Sequence, residues 1–129
     1  MEQAVELCLE TAQRMNGGEI FIRNMGACDI LTLAKAYIGK DTKVDYEVIG
    51  PKPGEKKFEE LVTDVESLRT VLVDDTYIIC PELSDSWPEE ITNGLKKYKH
   101  LKTINKALRS DTECMGIKDV EHLIRSASL

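Results

Sequence analysis

The sequence predicts a small mixed α/β fold of short strands and helices. Helical and strand periodicities alternate along the first fifty residues, and two β-branched runs flanking Asp74-Asp75 read as a hairpin. A chain of 129 residues, 42% apolar and 31% charged, has the size and composition of one ordinary globular domain. Residues 2–15 place Val5, Cys8, Leu9, Ala12 and Met15 at three- and four-residue spacing with Glu6, Glu10 and Arg14 opposite, which predicts an amphipathic helix. Asn16-Gly17-Gly18 supplies the left-handed positions that stop it. The run Ile20-Phe21-Ile22 predicts a buried strand, and Asp29 an N-cap for a second helix that closes at Gly39. Residues 43–49 alternate Val44, Tyr46 and Val48 with Asp45 and Glu47, as a strand with one wet face would.

Gly50-Pro51-Lys52-Pro53-Gly54 interrupts this order with a stiff loop, because proline fixes φ and glycine opens conformations closed to other residues. Residues 56–61 read as a short helix, and Thr63 to Glu66 has capping-box spacing for another. Residues 70–73 and 76–80 form the predicted hairpin. Pro88 suits the first position of a helix through Ile91, Leu95 and Tyr98. A last helix over 117–126 carries Ile117, Val120, Leu123 and Ile124 on one face.

Charge and composition exclude several classes of function. Seventeen Lys and Arg against 23 Asp and Glu leave a net charge of −6, which argues against non-specific binding to nucleic acid. The apolar runs are far shorter than the roughly 20 residues of a membrane span. The amino terminus reads as an amphipathic helix and not as a basic-then-apolar leader, so a cytoplasmic location is expected. Cys8, Cys28, Cys80 and Cys114 form no CxxC, and neither His100 nor His122 stands beside them in a ligand pattern. They are expected to be free, buried or partly buried thiols, and no metal is assigned.

The chemistry-bearing patterns are few. A chain that held a dinucleotide by itself would need a glycine-rich turn after its first strand, and no GxGxxG occurs. Tyr98 and Lys102 stand at a spacing in which a lysine can lower a tyrosine pKa, but the flanking Lys96, Lys97, Lys99 and His100 mark a solvated face. No nucleophile elbow or HExxH motif is present. The run Lys52-Pro53-Gly54-Glu55-Lys56 is more informative. By pattern alone it reads first as a charged surface turn, and second as a place where a cation meets phosphates while a carboxylate meets ribose hydroxyls.

Three stretches, residues 18–25, 30–36 and 49–61, resemble the carboxy-terminal part of the polysaccharide-biosynthesis short-chain dehydrogenases, the nucleotide-sugar 4,6-dehydratases and epimerases. Ser110-Asp111-Thr112 resembles a further motif ahead of that family's last helix. The resemblance implies the α/β substrate domain of an extended short-chain dehydrogenase, here without its Rossmann half. It implies that Lys52 meets the diphosphate, that Glu55 meets ribose hydroxyls, and that Arg23 and Asn24 lie near the sugar nucleotide, which would resemble UDP-N-acetylglucosamine. NADP or NAD and the catalytic Tyr and Lys would belong to the missing half, so that no catalytic, cofactor or metal residue is assigned here.

The sequence departs from that family at informative places. Lys52 stands for an arginine and loses the planar two-pronged fit to phosphate. Asn24 stands where Lys or Arg is common, Gly26 where Pro is common, and Phe58 where His is frequent. A Rossmann-domain partner or self-association is expected, since a domain cut from its parent exposes apolar surface. The other expectation is a non-catalytic or vestigial protein-interaction module.

Overall fold

The computed structural model describes residues 2–39, 44–83 and 86–127. The chain divides into two compact units, each built from two stretches: Met1–Asn24 with Leu61–Leu108, and Met25–Glu60 with Arg109–Leu129.

The first unit is organised on a three-stranded antiparallel sheet. Helix α1 (Glu2–Arg14) leads to strand β1 (Ile20–Arg23), and the hairpin is formed by β3 (Thr70–Val73) and β4 (Thr76–Ile79). The order is β1-β4-β3, with the hairpin's second strand at the centre. Its register aligns Phe21, Ile78 and Val71 across the sheet. A period of two puts these on one face, which α4 (Glu89–Leu95) and the 3-10 turn Lys96–Tyr98 cover. Val71, Ile78, Leu95 and Tyr98 are the buried cluster, with Phe21, Trp87 and Ile91 packed on it. Tyr98 is thus a core residue and not part of a solvated face, while Lys102 is exposed.

Strand β2 (Glu60–Val62) and strand β5 (Leu108–Arg109) form a separate two-stranded sheet. Helix α3 (Asp64–Ser67) is one turn long and owes its place to the predicted capping box: Glu66 N donates to Thr63 Oγ1 at 3.2 Å and Thr63 N to Glu66 Oε2 at 3.0 Å.

The second unit packs α2 (Ile30–Ile38) against α5 (Ile117–Ser126). Asp29 caps α2 by accepting from Thr32 N at 2.9 Å, and Gly39 closes it at φ 61°. Ala36 and Val120 are the buried apolar side chains of this unit among the described residues.

Two predicted elements are corrected. Residues 44–49 form no strand; Lys43 lies outside the described residues. Val44, Val48 and Ile49 are exposed on a stretch with no ladder partner, and alternation alone cannot satisfy a strand's N–H and C=O groups. Residues 56–61 are not helical either, because Glu60–Val62 pairs with β5, a strand too short to show a period. Burial corrects the cysteines: Cys8 and Cys114 are exposed, while Cys28 and Cys80 are partly buried. No described helix is long and apolar enough to cross a membrane.

Candidate functional site

Lys52 to Glu55 fold into a tight reverse turn. Glu55 N donates to Lys52 O at 3.1 Å, Pro53 occupies the second position, and Gly54 the third at φ +88°. This is the type II arrangement, in which proline presets one φ and only a residue tolerant of positive φ fits the next. The Glu55 side chain folds back so that Oε2 accepts from Lys52 N at 2.8 Å. The side chain therefore stiffens the turn that presents it, and a carboxylate still has a second oxygen for a ligand hydroxyl. The turn is exposed, as are Lys56 and Lys57 beyond it. Lys56 Nζ stands 3.9 Å from Glu59 Oε2, an open pair of small energetic weight.

A few residues further on, the same unit joins the two runs that carry the resemblance. Glu59 N donates to Ser110 Oγ at 2.8 Å, and Ser110 N donates to Glu59 O at 2.9 Å. The Arg109 guanidinium lies over the Phe58 ring, Cζ 3.7 Å from its centre. Asp111 grips it in a two-pronged fashion, with Nε to Oδ1 at 2.9 Å and Nη2 to Oδ2 at 2.7 Å. A cation held flat on an aromatic face is favourable, and Phe58 supplies a face where a histidine could itself be charged. Arg109 was missed in the sequence; its signal was a cation two residues before Asp111, legible only once Phe58 is known to meet it. Gly26 is explained in the same unit, since a Cβ there would come within 2.7 Å of the Met115 sulfur, and Met115 N donates to Ala27 O at 2.6 Å.

Arg23 and Asn24 lie in the first unit, at the end of β1. Arg23 shares the sheet face of Phe21, opposite Thr76, and its Nη2 is 3.9 Å from Glu6 Oε2 on α1. Its Nε is buried without a hydrogen-bond partner. Asn24 ties the strand end to the hairpin turn: its N donates to Asp75 O at 3.1 Å and its Nδ2 to Asp75 Oδ1 at 3.0 Å. The four predicted site residues thus form two pairs, Lys52 with Glu55 and Arg23 beside Asn24, one in each unit.

The titratable groups that depart from ordinary behaviour serve structure. Burial by itself would raise the Glu19 pKa, but donors from the Asn16 side chain and the Gly17 and Asn16 backbone outweigh it and hold the carboxyl below its usual value. Burial first, and the Glu19 charge second, push the Cys80 thiol up, which makes it a poor nucleophile. Among the described residues no three His, Cys, Asp or Glu side chains converge as metal ligands. The link from β1 to α2, residues 24–29, contains one glycine, Gly26.

Residues 1–81 match the model of a family described as polysaccharide biosynthesis protein. The chain is 32% identical over 89 residues to an uncharacterized membrane protein of Methanocaldococcus jannaschii, covering 63% of this chain and 27% of that protein. It is 31% identical over 83 residues to a UDP-N-acetylglucosamine 4,6-dehydratase (inverting) of Campylobacter jejuni, covering 64% of this chain and 24% of that enzyme. Among solved structures, Pen from Bacillus thuringiensis superposes with a TM-score of 0.72 at 30% identity, over 98% of this chain and 37% of that one. The chain therefore spans about a quarter of the length of these curated relatives and about a third of the solved chain.

Proposed function

Because this chain belongs to the polysaccharide biosynthesis protein family, we propose that it is the nucleotide-sugar-binding portion of a polysaccharide-biosynthesis dehydratase or epimerase, without catalysis of its own. The observation that carries this reading is the Lys52–Glu55 turn, a rigid exposed bend presenting a cation and a carboxylate three residues apart. Lys52 would meet the diphosphate as a point charge and Glu55 the ribose hydroxyls. The similar Campylobacter enzyme bears the name of UDP-N-acetylglucosamine, which makes that nucleotide the ligand to try first. NADP or NAD would be held, and the chemistry done, by a Rossmann-type portion outside this sequence.

Titration calorimetry with UDP and with UDP-N-acetylglucosamine tests the reading. Binding is expected with both, and Lys52→Arg should tighten it about threefold to tenfold by restoring a two-pronged phosphate contact. No heat with either nucleotide, before or after Lys52→Arg, would leave the non-catalytic protein-interaction module as the function.

A further inference from the structure

We propose that a cleft beside Trp87, in the first unit, binds the ring of a neutral saccharide. Gly17, Gly18, Ser86, Trp87, Pro88 and Ile91 line a cleft of about 380 Å³, within the roughly 300–1,000 Å³ of small-ligand sites. All six belong to the unit built on the three-stranded sheet. The two glycines have φ +134° and +82°. A Cβ on Gly18 would sit 2.5 Å from the Trp87 ring, and one on Gly17 3.1 Å from Ile91 Cδ1, so only bare backbone lets the turn lie against both side chains. The Glu19 carboxylate holds that turn by accepting from Asn16 N at 3.0 Å and Gly17 N at 2.7 Å, and α4 seats so closely on it that a Cβ on Gly94 would collide with the Asn16 side-chain amide. Trp87 and Ile91 are themselves packed on the core cluster. The walls are thus held from behind, and little ordering is left for a ligand to impose.

The lining selects the class of ligand. It offers an indole, an isoleucine and a proline beside a serine and two glycines whose peptide groups carry no side chain, and it contains no charged residue. An ion of either sign would give up water there without a charged partner. Glu89 and Glu90, exposed in the first turn of α4, add repulsion toward phosphate and carboxylate. A cation would find one aromatic face, which holds it only weakly at an open site. A wholly apolar ligand would cover the serine and the glycine peptides without pairing them. A pyranose ring meets both demands: its C–H face lies on the electron-rich face of an indole, and the hydroxyls around its edge reach hydroxyl and peptide partners. Nucleotide binding is not required, because the Lys52–Glu55 turn lies in the other unit.

Trp87 is the chain's single tryptophan, so its emission reports on the cleft. Three rings that differ in charge are titrated into the full chain at about pH 6, where an amine is protonated: neutral N-acetylglucosamine, anionic glucuronate and cationic glucosamine. N-acetylglucosamine should change the emission with half-saturation on the order of 1–10 mM, and each charged ring should bind at least about fivefold more weakly. In amide NMR spectra the Gly17 and Gly18 N–H signals and the Trp87 indole signal should move with the sugar while that of Gly54 stays in place. Trp87→Phe keeps an aromatic ring on the core and should weaken binding about threefold to tenfold by NMR titration. Should that variant not fold, Ser86→Ala, at an exposed position, should weaken it about twofold to fivefold. No response at about 100 mM N-acetylglucosamine overturns the proposal. Tighter binding of glucosamine overturns it in favour of a cation site, and tighter binding of a hexaproline peptide in favour of a peptide groove. Movement of Gly54 in place of Gly17 and Gly18 would assign the sugar to the Lys52–Glu55 turn and overturn it too. UDP, titrated separately, tests nucleotide binding at Gly54, so failure at either place is told apart from failure at the other.

Discussion

Glu19 shows how much one side chain organises at the end of α1. Its carboxylate collects the Asn16 N–H at 3.0 Å, the Asn16 side-chain amide at 2.8 Å and the Gly17 N–H at 2.7 Å, donors that the helix end and the glycine turn leave unpaired. Its folded-state pKa is depressed from an ordinary value of 4.5, so its stabilisation is present above that value and is lost as pH falls through the folded one. Glu19→Gln should cost about 1 kcal/mol at pH 7, and the difference from wild type should shrink as pH falls below 4.5 in urea titrations. Gly18 is as constrained: at φ +82° an added Cβ would sit 2.5 Å from the Trp87 ring. Gly18→Ala should therefore destabilise by about 2 kcal/mol or more by thermal melting, through strain and lost Trp87 packing together.

Helix α5 is a case in which an element's end is half built. Asp119 Oδ2 accepts from Gly116 N at 3.2 Å, but Gly116 has no side chain with which to return a bond to the first turn. Gly116 has φ −74° and the space beside it is ordinary, so Gly116→Ser should complete the box and stabilise by about 0.5–1 kcal/mol in urea unfolding. Where the signal was local, the sequence predicted elements well. Asp29 and Gly39 bound α2, Thr63 and Glu66 bound α3, and the hairpin turned at Asp74, whose φ is 56°. It failed where pairing decided. Residues 44–49 have strand alternation without a partner, while Glu60–Val62 looks helical yet finds one in β5. The candidate site divides in the same way: Pro53 and Gly54 announced the turn, but the clasp of Arg109 on Phe58 joins residues 51 positions apart.

At the scale of the molecule the two units differ in what holds each together. The first has a sheet and a clustered core, with Ile78 fully buried, whereas the second encloses Ala36 and Val120 between two helices. Hydrogen exchange should be slowest at the amides of β3 and β4 and much faster in α2 and α5, as amide protection follows buried apolar contact. Ile78→Ala should cost about 2–5 kcal/mol, a large share of a small domain's stability, and unfold the first unit at room temperature or near it.

What the sequence by itself determined were the features written in neighbouring residues: the helix ends, the hairpin, the stiff Lys52–Glu55 turn and the family its motifs resemble. Tertiary structure decided what local pattern cannot hold. Alternation of apolar and polar residues says that a face is apolar, not what covers it, and α1 turns its apolar side away from its own sheet. Strand pairing and the Phe58–Arg109 contact depend on segments distant along the chain, so they exist only once folding has brought those segments together.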